Sequence, residues 1–152
     1  MMILMFFVWG CNPLKNSQNS GSKNNNNSIQ KNVAIDTLSY IRESIIAQKS
    51  KYTNKVLSVL LNDLKIPVAS YVFGVGNSIY SVDYITLSFE NMDAHIQRVI
   101  ANSIPPLVIV KFSKPLPMDS VLKISGLSHG QWLSREKEYY GNKIVGDLDY
   151  VK

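Results

Sequence analysis

The chain has no second cysteine. Cys11 is the only thiol in its 152 residues, so no internal disulfide can form and the fold must be held by non-covalent forces. Long apolar runs are missing too. The apolar block from Met1 to Gly10 would reach roughly 15 Å as a helix, about half of a bilayer's ~30 Å hydrocarbon core. That is too short for a membrane-spanning helix, but it matches the ~7–15 residues of a signal-peptide apolar region. Histidine is scarce: His95 and His129 have no Cys, Asp or Glu at a recognisable zinc-ligand spacing, so no metal is expected. No Gly-x-Ser-x-Gly occurs, which leaves no nucleophile elbow. Gly74-Val75-Gly76 begins like a dinucleotide loop, but Ile79 stands where the third glycine belongs and the following residues read as strand. No cofactor is implied. A basic surface is also lacking. The net charge is +5, but Lys15, Lys23 and Lys31 precede the domain, and from Val33 onward 13 basic residues face 11 acidic ones. Without a basic stripe the chain is not expected to bind nucleic acid.

What is present begins with Val8-Trp9-Gly10-Cys11 at the end of the apolar block. An aliphatic residue three positions before the cysteine, a small residue just before it, and a polar stretch after it resemble the signal of a bacterial lipoprotein. The resemblance covers about a dozen residues and implies a sorting class, with no bearing on fold. It implies a signal peptide over 1–10, cleavage between Gly10 and Cys11, and an acyl lipid such as palmitate on Cys11. The implied location is the bacterial cell envelope, at the periplasmic face or cell surface, with the membrane as partner.

Residues 11–32 then read as a flexible tether. Asn12 to Asn32 holds eight asparagines and little that is apolar besides Leu14 and Ile29, so ordering it would not be offset by burial. About 20 residues of coil span roughly 25 Å. Its lysines suit an anionic lipid surface.

Residues 33–152 are enough for one core. Asn32 or Asp36 can cap a helix, and Ile35, Leu38, Ile41, Ile45, Tyr52, Val56, Leu60 and Leu64 recur at three- to four-residue steps with a gap near Lys49. The pattern allows one long helix over 34–64 or two that break near Lys49-Ser50-Lys51. The absence of Gly and Pro favours the long one. Val68–Val75 and Ile79–Phe89 read as a hairpin around Gly74-Val75-Gly76-Asn77-Ser78. In the second run strict alternation puts Ile79, Asp83, Ile85, Leu87 and Phe89 on one face, and Tyr80, Val82, Tyr84, Thr86 and Ser88 on the other. A third strand is expected over Leu107–Phe112, bounded by prolines. Short helices are expected over Asp119–Ser125, stopped by Gly126, and over Ser134–Tyr140, followed by Gly141. A fourth strand fits Lys143–Val151. The fold class is α+β: an N-terminal long helix or helix pair, then a mostly antiparallel sheet of about four strands with short helices.

Among candidate sites, Glu136 and Glu138 stand two apart on a helix and point to different sides, as on a solvated surface. Asp147 and Asp149 share a strand face. The richest cluster is His129, Trp132, Tyr139 and Tyr140, a candidate binding surface, since Trp and Tyr join apolar area to a polar handle. Such rings seal the edge of a small core equally well, and packing is favoured for Tyr140, which before Gly141 would anchor its helix to the sheet. Three functions of different class fit: an envelope interaction or assembly component, a small-ligand or glycan receptor, and an envelope hydrolase. The first is favoured, since no nucleophile or acid–base pair is visible for the third. Deleting residues 1–32 is expected to leave the urea midpoint nearly unchanged and to give a soluble monomer.

Overall fold

Four strands pair in the order in which they are made. The computed structural model describes residues 37–151; Gly10, Cys11, the tether and the cap candidates Asn32 and Asp36 lie outside the described residues. Strands β1 (Ser70–Gly74), β2 (Ser81–Ser88), β3 (Leu107–Pro117) and β4 (Val145–Tyr150) form one antiparallel sheet in the order β1-β2-β3-β4. The protein is thus α+β, with a four-stranded sheet and short helices. Register puts Phe73, Ile85, Val110 and Leu148 side by side, and next to them Tyr71, Leu87, Val108 and Tyr150. These rows line the core. The opposite face carries Val72, Thr86, Ile109 and Asp149, then Gly74, Tyr84, Lys111 and Asp147.

Strict alternation fails in β2 for a local reason. A register shift between Val82 and Tyr84 inserts a bulge, and Val82 turns into the core with Ile85 and Leu87. Ile79 and Tyr80, expected on opposite faces of a strand, lie outside it in the turn and are exposed. The strand expected to end at Phe112 runs on to Pro117. Beyond the end of β4, its last residues pair only with Ser81 and Val82 of β2, so Pro115 and Pro117 need no second ladder. A second shift lies between Lys111 and Phe112, opposite Gly146. A Cβ on Gly146 would stand 3.0 Å from the Ser113 nitrogen, so any other residue here would push the two backbones apart by a few tenths of an ångström.

The first helical stretch is broken, against the expectation of one long helix. Residues 37–40 lead into a π-helical turn at Ile41–Ile46, closed by Ala47 N–H donating to the Arg42 carbonyl at 3.0 Å. A 3₁₀ turn at Lys49–Lys51 follows, then helix α1 (Leu57–Asp63). The wider π turn leaves Ile41 and Ile45 both fully buried. Between the pieces, Asn54 adopts φ 62°, and the next residues pair with the start of β4. Asn54 N–H donates to the Val145 carbonyl, Val145 N–H to that of Lys55, and Leu57 N–H to that of Lys143, each at 2.8 Å. These long-range bonds compete directly with helix continuation and win. The two pieces are latched by Tyr52, whose hydroxyl donates to Asp63, and by Lys51, 2.7 Å from the same carboxylate.

The segment between β2 and β3, to which the sequence patterning assigned no element, is helix α2 (Met92–Ile100). Asn91 caps it, its Oδ1 accepting from the Ala94 N–H at 2.9 Å. At the other end Asn102 adopts φ 49°. Ser103 N–H donates to the Arg98 carbonyl and Asn102 N–H to that of Val99, a Schellman termination. Helix α3 (Met118–Ser128) runs straight through Gly126, the expected stop, and ends at His129, which holds φ 51°. Helix α4 (Ser134–Gly141) covers the expected Ser134–Tyr140 and takes in Gly141, expected just past its end.

Ile41, Ile45, Leu57, Leu60, Val121 and Tyr140 bring the helical segments onto the core rows of the sheet. Full burial of each aliphatic side chain contributes ~1.5–3 kcal/mol. Nothing lies within 4 Å of where a Cβ on Gly126 would be, and the position is helical and exposed. Gly126→Ala is therefore expected to raise stability by about 1 kcal/mol, read from the urea midpoint.

Candidate functional site

The sequence-predicted cluster gathers around one ring. Tyr140, on the inner side of α4, is 0% exposed. Its ring stacks between Trp132 (centroids 5.7 Å, planes 18° apart) and Phe112 (6.2 Å, 9°). It meets Tyr71 and Tyr139 edge-on at 5.3 and 5.0 Å. Tyr140 thus offers no surface to a ligand. Trp132 is half-buried and touches Tyr71 edge-on as well. Its position follows from backbone pairing. Tyr71 N–H donates to the Gly130 carbonyl at 2.8 Å and Trp132 N–H to that of Ala69 at 3.1 Å, so residues 130–132 add a short rung to the outer edge of β1. His129 remains exposed and serves as the left-handed end of α3.

Polar groups are trapped beneath the rings. The hydroxyls of Tyr71 and Tyr140 are buried without a hydrogen-bond partner among the described residues. Burial first, then the adjacent Tyr71 phenol, pushes ionisation of the Tyr140 hydroxyl far above its ordinary range, so it stays neutral. Glu136 corrects the expectation of a solvated surface: it is 0% exposed. Its Oε2 accepts from the Leu133 N–H at 3.1 Å, and Oε1 lies 3.5 Å from Arg135 Nε. A carboxylate in the first turn satisfies an orphan donor and meets the positive end of the helix. Glu138 faces out.

Outside the rings, Arg135, Glu138, Tyr139, Asn142 and Lys143 line an open depression of about 360 Å³. The Lys143 ammonium sits 4.4 Å from the Tyr139 ring centroid, and Asn142 Nδ2 donates to the Glu138 carbonyl at 3.2 Å. Two cationic groups and an amide thus flank an aromatic edge. Asp147 and Asp149 share a sheet face, but Lys49 and Lys111 claim Asp147 at 2.7 and 3.9 Å. The bonded Lys49 ammonium holds the Asp147 carboxyl below the usual carboxylate range. Asp149 accepts from the Tyr150 N–H at 2.9 Å.

A second feature escaped the sequence reading. Helix α2 turns Ile96, Val99 and Ile100 outward, 47, 57 and 70% exposed, with Ile104 just past its end at 46%. Its other side is clamped to the sheet end. Arg98 Nε bonds both Glu90 carboxylate oxygens at 2.6 Å, and both partners are largely buried. The Glu90 carbonyl accepts from the hydroxyls of Ser70 and Ser88 at 3.2 and 3.1 Å. Asn91 before the helix, Arg98 in its last turn, isoleucine and valine at helical spacing, and Pro105-Pro106 beyond were the available signals.

No known protein family, curated protein or solved structure matches the chain.

Because the Tyr140 ring is fully buried, Tyr140→Ala should cost about 3–5 kcal/mol, read from the urea midpoint. Tyr140→Phe should leave the urea midpoint unchanged or raise it, because it removes a buried hydroxyl that has no hydrogen-bond partner among the described residues.

Proposed function

We propose that this protein is a lipid-anchored binding or assembly component of the bacterial cell envelope, held to its membrane through Cys11. The observation that carries the reading is the order of the first 32 residues: an apolar block, Gly10-Cys11, then a polar tether. The domain supports it. Its core draws on residues from Ile41 to Leu148 and needs no covalent staple, so it can stand at the end of a tether. The exposed side of α2 gives such a component a contact surface.

A second reading, a small-ligand or glycan receptor, has the depression beside Tyr139 in its favour. Pools of candidate ligands added to the purified domain would raise its melting temperature under this reading and leave it unchanged under the first.

Anchoring is tested by intact mass and fatty-acid labelling of the wild type and Cys11→Ser in a lipoprotein-processing bacterial host. The wild type should lose residues 1–10 and gain acyl mass, while Cys11→Ser takes no label. Retention of residues 1–10 without label in both proteins refutes the anchor.

A further inference from the structure

We infer that the outer side of α2 docks on the surface of the membrane that holds the anchor, lying within the headgroup boundary with Ile96, Val99, Ile100 and Ile104 in contact with lipid. The inference rests on the lipid-anchor reading and adds to it a second, non-covalent contact.

Three observations point to lipid as the occupant. The first is how the helix is held. Nine residues are too few to be helical alone in water, and α2 keeps its form through the Asn91 cap, the Asn102 termination and the Glu90–Arg98 pair. All of these contacts lie on the polar side and at the ends. Residues 89–106 form an excursion between Ser88 and Leu107, which pair with each other at the end of the sheet. The apolar side therefore projects from that end, where it can meet a flat surface. Contiguous apolar exposure of this kind marks a contact site.

The second is area. The four side chains expose on the order of 400 Å², about half of the ~800 Å² per partner that a stable protein interface buries. A second copy of the chain would find too little surface here. A bilayer demands no matching shape and accepts an amphipathic helix along its interface. Charge does not oppose it. Asp93 is the only acidic residue between Asn91 and Ile104, and Arg98 is already paired with Glu90, so anionic headgroups meet no strong repulsion.

The third is reach. From Cys11 to Thr37 the chain has 26 steps, and a coil of that length spans roughly 28 Å. A domain about 13 Å in radius of gyration can turn any side toward the bilayer on such a tether. Docking is then intramolecular, and a contact too weak to recruit a free protein suffices.

The test uses the full chain with one new thiol, Val99→Cys, carrying an environment-sensitive fluorophore. Cys11 is unreactive when it bears lipid, so the label goes to position 99 alone. Val72→Cys, on the outer sheet face, is the control. The processed protein is placed in phosphatidylethanolamine–phosphatidylglycerol vesicles that contain nitroxide lipids. The expected result is blue-shifted emission at 99, with quenching severalfold stronger than at 72. Ile96→Ser combined with Ile100→Ser should abolish both, with an unchanged urea midpoint. In unanchored Cys11→Ser the probe at 99 should emit as in water. Water-like emission at 99 in the anchored protein overturns docking and leaves the anchor reading intact. Intact mass showing no lipid on Cys11 overturns the anchor, and the inference with it. Blue emission in free Cys11→Ser identifies the chain's own N-terminal segment as the occupant. Disulfide crosslinking between two unlabelled Val99→Cys chains identifies a second copy. Either result overturns the inference.

Discussion

The stacking of Tyr140 between Trp132 and Phe112 is the contact on which the rest of the domain depends. Through this ring α4 is joined to β1, by way of Tyr71, and to β3, by way of Phe112. The next residue, Gly141, lies against Ser58 of α1, so the same helix end joins the N-terminal half to the sheet. Ring pairs of this geometry contribute ~0.5–1.5 kcal/mol each beyond their area, and Tyr140 takes part in four of them. The cost is polar: two hydroxyls and one carboxylate oxygen lie buried without a hydrogen-bond partner among the described residues. The domain accepts that cost at its centre, where the apolar gain is largest.

Much of the sheet was legible because its signals are local. Turn residues at Gly74–Ser78 separate two β-rich runs, and alternation along the strands survives wherever register is unbroken. What was hidden came from contacts between distant residues. Val82 reaches the core only because β2 bulges against β3. The helix break near Asn54 arises because residues 54–57 bond to the start of β4, some 90 positions away, and no helical periodicity encodes that. Gly126 failed as a stop because an isolated glycine costs a helix only about 1 kcal/mol, and the termination fell to His129.

The candidate site divides along the same line. That Tyr140 should anchor a helix to its sheet was readable from its place before Gly141. Glu136 was misjudged because its neighbours Arg135, Lys137 and Glu138 are charged, and burial of one carboxylate in a solvated run depends on the end of the helix it caps. The α2 surface was missed for a different reason. Its isoleucines carry a clear period, but periodicity cannot say whether an apolar side faces a core or the outside. Only the clamp between Glu90 and Arg98, which commits the opposite side to the sheet, reveals that this one faces out.

A sheet whose spatial order equals its chain order can grow strand by strand, each new one adding to an edge already made. Most of its pairings are between neighbours in sequence and form quickly. The exception is the far edge. There β4 must accept residues 54–57 across a loop of about 90 residues, whose closure is slower and entropically costlier. Until that seal forms, the start of β4 presents unpaired backbone to any passing chain. This interval carries the greatest hazard of aggregation, and the pairing of β4 decides how long it lasts.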